Sequence, residues 1–251
     1  MAGNSSNAPE PATQPIEPEH TEFGEYSSPP CFMHELDPSY LGLPADAASA
    51  AAPQPQLSAG PDWQTIKQWR KETRARLIEQ RLLISSQDRA SWSARISERL
   101  QAVLASREKP LIGFYWPFRG EYDARPLLTA LRDHGARLAL PVVVAKAQPL
   151  QFREWWPGVA MTKGVWNIPI PAGGEPVSPD VLLAPLVGFD PGSYRLGYGG
   201  GFYDRTIAAR PTKPLCIGVG FELSRLATIH PQVHDVPMDI IITEGHSGKT
   251  S

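Results

Sequence analysis

The sequence predicts an α/β fold: a single three-layer domain with a largely parallel or mixed sheet flanked by helices, preceded by a disordered N-terminal extension. Two observations carry this. From about residue 62 onward, apolar runs of strand length alternate with segments of helical period, the order expected of a sheet covered by helices. The runs themselves, such as Leu111 to Tyr115 and Val181 to Val187, are almost continuously apolar, as strands buried on both faces must be. A composition shift sets the boundary. Residues 1–61 are rich in Pro, Ala, Ser, Glu and Gln, and such a segment buries too little apolar surface to offset its ordering entropy. One island, at 31–43, interrupts it with Cys31-Phe32-Met33 and Tyr40-Leu41. It reads either as stray apolar residues in a disordered tail or as a docking peptide for a partner or for the protein's own domain.

Each element of the folded part, 62–244, has its own signal. Asp62 is a candidate N-cap, and Trp63, Ile66, Trp69, Thr73 and Leu77 recur at helical spacing, predicting a helix to about Ile84. Ser86 is the expected cap of a second helix, with Trp92, Ile96, Leu100 and Val103 on one face and Arg89, Arg95 and Arg99 on a solvated one. Leu111 to Tyr115 is a strand, and Leu127, Leu128 and Leu131 mark a helix stopped by Gly135. Arg137 to Val144 is a strand, Pro149 to Trp155 an edge strand, and Val181 to Val187 a buried strand. A glycine-rich turn at 197–201 leads into a short helix over 202–209. Strands at 215–221 and 239–243 and a flexible tail at 245–251 complete the chain.

Bulk properties exclude several classes. With 24 Lys+Arg against 26 Asp+Glu, the net charge of −2 gives no general attraction to nucleic acid or an anionic membrane, so an anionic ligand needs a local positive cluster. No apolar run approaches the ~18 residues of a membrane span, and the start has neither a basic nor an apolar leader region, which makes a cytoplasmic location the expectation. Two cysteines make no disulfide framework, and Cys216 in the run Leu215 to Val219 reads as a buried core thiol. His230 and His234, separated by Pro231 and a short loop and lacking further partners, do not make a zinc site. Trp155-Trp156 reads as packing or as a loop over a ligand.

The chemistry concentrates between Leu186 and Arg205. A buried strand ends, a Gly-Phe-Asp turn follows, and four glycines fall within five residues (197, 199, 200, 201) before a helix begins. Glycines permit positive φ and close backbone approach to a ligand, and main-chain amides entering a helix suit phosphate. Arg195 and Arg205 bracket the turn and can fork onto phosphate oxygens. Asp204 beside such a cradle suits a cation, since nucleotide phosphates arrive with Mg²⁺. The turn lacks the Gly-Lys-Ser/Thr ending of a P-loop, and Phe202 stands where the dinucleotide fingerprint needs its third glycine.

The string Gly188-Phe189-Asp190 followed by Arg195-Leu196-Gly197-Tyr198-Gly199-Gly200-Gly201-Phe202-Tyr203-Asp204 resembles the signature of the 5-formyltetrahydrofolate cyclo-ligase family. A basic first helix, Gly120-Glu121-Tyr122-Asp123, Trp166-Asn167-Ile168-Pro169 and a late pair of aspartates follow that family's order, and the resemblance spans roughly 62–244. It implies an enzyme that uses ATP and Mg²⁺ to convert 5-formyltetrahydrofolate to 5,10-methenyltetrahydrofolate through phosphorylation of the formyl oxygen. It implies that Arg195, Leu196, Gly197, Tyr198, Gly199, Gly200, Gly201, Phe202 and Tyr203 cradle ATP with Arg70 and Arg74, Arg195 and Tyr203 serving catalysis. Asp204 and Asp235 would hold Mg²⁺, and Trp116, Glu121 and Trp166 the folate. Arg70 stands where relatives often have Lys, and Gly200 where some have Lys, which shifts weight onto the remaining arginines. Two other readings stay open: a relative that binds folate or nucleotide without turnover, and an ATP-dependent enzyme acting on another N-acyl substrate.

Overall fold

The computed structural model describes residues 62–245 together with 247 and 248. The extension at 1–61, its island at 31–43, and residues 246 and 249–251 lie outside the described residues.

Helix α1, Trp63–Leu82, starts at Asp62, whose carboxylate accepts from the Thr65 amide and hydroxyl, both at 3.0 Å. Its inward face is unusual: besides Ile66, Leu77 and Ile78 it buries Arg70, Arg74 and Arg81. Helix α2, Ser86–Leu104, is capped by Ser85 rather than Ser86. The Ser85 hydroxyl accepts from the Asp88 amide at 3.0 Å and donates to the Asp88 carboxylate at 2.7 Å, a reciprocal arrangement that closes the first turn. Arg95 is exposed, but the solvated face expected for its neighbours is not what forms. Arg89 donates to the carbonyls of Arg81 and Gly120, and Arg99 to that of Thr243 at 2.6 Å, so both tie α2 to neighbouring segments.

The remaining elements are β1 (Leu111–Gly113), α3 (Arg125–Asp133), β2 (Arg137–Val142), β3 (Gln151–Glu154), β4 (Met161–Lys163), β5 (Pro169–Pro171), β6 (Pro176–Val177) and β7 (Val181–Pro185). After them come β8 (Gly188–Phe189), β9 (Arg195–Leu196), α4 (Phe202–Ala208), β10 (Leu215–Val219), β11 (Ile240–Ile242) and β12 (Ser247–Gly248). The main sheet has the order β12-β11-β10-β7-β1-β2-β3-β6, with β4–β5 and β8–β9 as separate pairs. Strands β11, β10, β7, β1 and β2 are parallel; β3 and β12 run against them, and β6, antiparallel to β3, runs with them again. The sheet is therefore mixed. Strand β3 is not the edge expected, because two residues of β6 pair beyond it, and Ser247–Gly248 pair with Ile241 and Ile242 although that stretch read as a flexible tail.

Side-chain alternation builds two cores. Ile112, Leu138, Leu140, Val181, Leu183, Ile217 and Val219 pack with Ile96, Leu100 and Leu104 of α2 and Leu128 of α3. Leu111, Ala139, Leu182, Ala184, Cys216 and Ile241 point the other way, toward Phe189 and Ile207 of α4. These are the three layers the apolar runs predict. Cys216 is buried, and burial pushes its thiol up to about 11, as befits a core residue.

Strand order also locates the site. The chain steps from β1 to β2 on one side, then returns through β7 to β10 and β11 on the other, so the direction of winding reverses between β1 and β7. In open α/β sheets, ligands sit in the crevice outside the carboxyl ends of strands at such a reversal. The turn after β1 carries Trp116 and Glu121, and the turns after β7 carry the glycine-rich loop. Asp190 fixes that second region: buried, it accepts from the amides of Gly192 at 3.0 Å, Tyr194 at 3.2 Å and Ile229 at 3.0 Å. Asp190→Ala would leave three amides short of an acceptor. We expect it to lower the free energy of unfolding by about 3 kcal/mol in urea denaturation.

Candidate active site

Four successive turns of α1 face the crevice, and the buried arginines on them reach different segments. The Arg70 guanidinium donates to the carbonyls of Ile229 (3.1 Å) and His230 (2.9 Å) and pairs with the Asp235 carboxylate. Arg74 Nε donates to the Gly197 carbonyl at 2.9 Å. Arg81 donates to the carbonyls of Arg119 (3.0 Å) and Leu186 (3.1 Å) and to the Tyr198 hydroxyl (2.8 Å). Helical spacing places all three on one face. Sequence reading singled out Arg70 and Arg74 but missed Arg81, whose position seven residues beyond Arg74 carries the same signal.

The glycine turn joins β9 to α4. Gly199 has φ +97° and Gly201 φ +59°, left-handed values that a Cβ would strain, and Gly197 has open space where a Cβ would stand. None of the amides from Tyr198 to Tyr203 donates to an acceptor among the described residues. Arg205 donates to the Gly200 carbonyl and stacks over Phe202, while its buried Nε has no acceptor among the described residues; burial lowers its pKa. Arg195, 8% exposed, pairs with Asp204 at 3.0 Å, donates to the Val236 carbonyl at 3.2 Å and lies 5.6 Å over the Tyr203 ring. The Tyr203 hydroxyl turns inward to the Leu183 carbonyl at 3.4 Å, and burial pushes its pKa well up.

Asp204 and Asp235, expected as a metal pair, are brought to one region. Asp204 accepts from the Val236 amide at 3.0 Å, next in the chain to Asp235. Each carboxylate is already paired with an arginine, Asp204 with Arg195 and Asp235 with Arg70, and no cluster of three or more metal-binding side chains occurs among the described residues. His230 and His234 pack edge-on against Trp69 (4.7 Å) and Trp63 (6.4 Å) of α1.

Across the crevice, Glu121 is 9% exposed. Its carboxylate accepts from the Tyr198 hydroxyl at 2.8 Å and the Phe118 amide at 2.9 Å. Burial pushes it up to about 7, opposed by Arg81, the Tyr198 hydroxyl and the Phe118 amide. Trp166 stacks on Phe118 (6.1 Å, 15°) and meets Tyr198 edge-on at 5.9 Å, so the three rings form one cluster tied to this carboxylate through the Tyr198 hydroxyl and the Phe118 amide. Trp166 and Asn167 both have left-handed φ, 58° and 57°, a strained pair that presents the indole. Trp116, expected beside Glu121 as a ligand face, lies under the Arg125 guanidinium at 4.2 Å and is flanked by Trp155 at 6.4 Å. Trp155 is a buried packing residue, and Trp156 is exposed. Phe118 escaped sequence reading because nothing in its local pattern marks it.

Together the fold and site define a doubly wound α/β domain in which a glycine turn lined by arginines faces a buried carboxylate within an aromatic cluster. A model of the 5-formyltetrahydrofolate cyclo-ligase family matches residues 66–244, and the chain belongs to that family. A 5-formyltetrahydrofolate cyclo-ligase of Haemophilus influenzae is 28% identical over 188 residues, covering 71% of this chain and 98% of its own length. A cyclo-ligase of the same description from Mycolicibacterium smegmatis is 35% identical over 137 residues, covering 51% of this chain and 71% of its own. The solved 5,10-methenyltetrahydrofolate synthetase of Aquifex aeolicus superposes with a TM-score of 0.63 at 26% identity, covering 72% of this chain and 92% of its own.

The buried carboxyl gives a prediction that does not depend on any ligand. Glu121 binds its proton more tightly folded, at about 7, than at its ordinary value of 4.5. The native state therefore holds more protons than the unfolded state between those values, and the stability due to this group is full below about 4.5 and lost as pH rises through about 7. Glu121→Gln should abolish a decline worth roughly 3 kcal/mol over that window, read from urea denaturation at a series of pH values.

Proposed function

We propose that this protein is an ATP-dependent 5-formyltetrahydrofolate cyclo-ligase, closing 5-formyltetrahydrofolate to 5,10-methenyltetrahydrofolate with release of ADP and phosphate. What carries the reading is the pairing, across one crevice of a chain of this family, of an arginine-lined glycine turn with the Glu121 carboxylate and its three rings.

The donor set fits a polyphosphate. The open amides from Tyr198 to Tyr203, the space beside Gly197, and the guanidiniums of Arg195, Arg205, Arg70 and Arg74 around the turn supply fixed positive dipoles and charges. Phosphoryl transfer asks a protein mainly for positioning and charge stabilisation. The formyl oxygen attacks the γ-phosphorus and ADP leaves; N10 then attacks the formyl carbon, phosphate departs with the oxygen, and the N10 proton goes to solvent. We assign Arg195 to the charge developing on the transferred group, with Tyr203 holding that guanidinium through its ring. Trp166 and Glu121 are assigned to the folate, the carboxylate accepting from ring N–H groups. Trp116 is assigned to the same pocket, with Arg125 displaced from its face. The oxygen ligands of Asp204 and Asp235 suit Mg²⁺, which takes one or two carboxylates plus phosphate oxygens, provided each loosens its arginine partner. When bound, that ion would neutralise phosphate charge. No described helix is long and apolar enough to cross a membrane, and a cytoplasmic location is part of this proposal.

The test is spectrophotometric. Purified full-length protein with 5-formyltetrahydrofolate, ATP and Mg²⁺ should generate the absorbance band of the methenyl product, and omission of ATP or metal should prevent it. Binding of either substrate without that band would overturn the proposal. Asp204→Asn keeps an acceptor for the Val236 amide but loses charge. It should retain the fold by circular dichroism while losing about 100-fold or more in kcat.

A further inference from the structure

The Tyr198 hydroxyl stands between two buried charged groups on different elements. Arg81, on α1 and 2% exposed, donates to it at 2.8 Å, and it donates in turn to Glu121 at 2.8 Å. A phenolic hydroxyl has one proton, so with a guanidinium N–H directed at its oxygen that proton is committed to the carboxylate. The other donors of Arg81 go to the Leu186 and Arg119 carbonyls, one at the end of β7 and one in the turn after β1. Arg81 thus touches both walls of the crevice and the residue that bridges them.

We propose that Arg81 is a positioning residue for folate recognition: it fixes the Tyr198 hydroxyl as a donor to Glu121 and locks the glycine turn to the folate pocket. This rests on the function proposed above. Of the neighbouring cations, Arg89 from α2 bonds to the Gly120 carbonyl and Arg119 from the same turn as Glu121 lies over the Phe118 ring. Tyr115, at the end of β1, donates to the Tyr122 carbonyl, and Tyr203 to that of Leu183. Among the described residues, only Tyr198 joins the Glu121 carboxylate to a cationic side chain. The bridge opposes the upward push of burial on Glu121, so cutting it moves the carboxyl further up, and a neutral Glu121 offers a proton where the folate ring needs an acceptor.

Two variants cut the bridge differently. Tyr198→Phe keeps the ring against Phe118 and Trp166 and removes the hydroxyl. Arg81→Lys keeps the charge but cannot fork onto three acceptors. In full-length protein carrying ¹³C-labelled glutamate carboxyls, with Glu121 assigned by its loss in Glu121→Gln, the Glu121 titration midpoint should rise by about half a pH unit or more in each variant. The acid limb of kcat/KM for 5-formyltetrahydrofolate at saturating ATP should move up by the same amount in each variant. Folded variants whose Glu121 midpoint does not move overturn the inference, and so does a loss of kcat/KM that is uniform in pH, which is the mark of packing alone. A midpoint that moves in a protein that never makes the methenyl product sustains the linkage and removes the proposed function instead.

Discussion

The site depends on three guanidiniums that a helix has carried out of water. Burying a cation is costly unless each donor finds a partner, and α1 solves this by spending its arginines on main-chain carbonyls that the sheet leaves unpaired. Ile229 and His230 take Arg70, Gly197 takes Arg74, and Leu186 and Arg119 take Arg81. Those carbonyls belong to loops, which have no ladder to satisfy them. The same bonds therefore fix four loops in place and set guanidiniums along the crevice. The protein's overall balance of charge is near neutral, so local placement rather than composition makes the site attractive to anions.

This explains the weak apolar face of α1. A helix packed on a conventional core shows a broad apolar stripe; here Leu77 and Ile78 pack against Val187, and three arginines share the rest of the inward face with Ile66 and Thr73. Helix α2, which faces the sheet proper, follows the ordinary rule with Ile96, Leu100 and Leu104. The two helices adjoin in sequence, yet one is built to make a core and the other to make a site.

The layers, the strands and the glycine turn were legible because each has a short-range signature: period, apolar continuity, or a run of glycines. What was not legible depends on who sits opposite. Arg89 and Arg99 look like surface residues until the Gly120 and Thr243 carbonyls arrive beside them. Trp116 and Trp166 are both aromatic residues in turns, and only the packed structure puts Arg125 over one and Phe118 beside the other. Phe118 joins the site through a turn whose shape is set by Glu121 and Arg81, which lie on different elements. The strand beyond β3 is two residues long and contains Pro176, too short a run to carry a pattern.

The partners of α1 also lie far along the chain. Arg81 must wait for Leu186 and Tyr198, 105 and 117 residues downstream, Arg74 for Gly197 at 123, and Arg70 for Ile229 and Asp235 at 159 and 165. Contacts of such separation close late, because the loop between them must first be ordered. Made early on the ribosome, α1 finds the Arg119 carbonyl 38 residues on, but its other carbonyl acceptors arrive only after most of the sheet has been synthesised. Its docking is thus a final step of assembly, and a chain halted before the 229–236 loop would have helix and strands but no finished crevice.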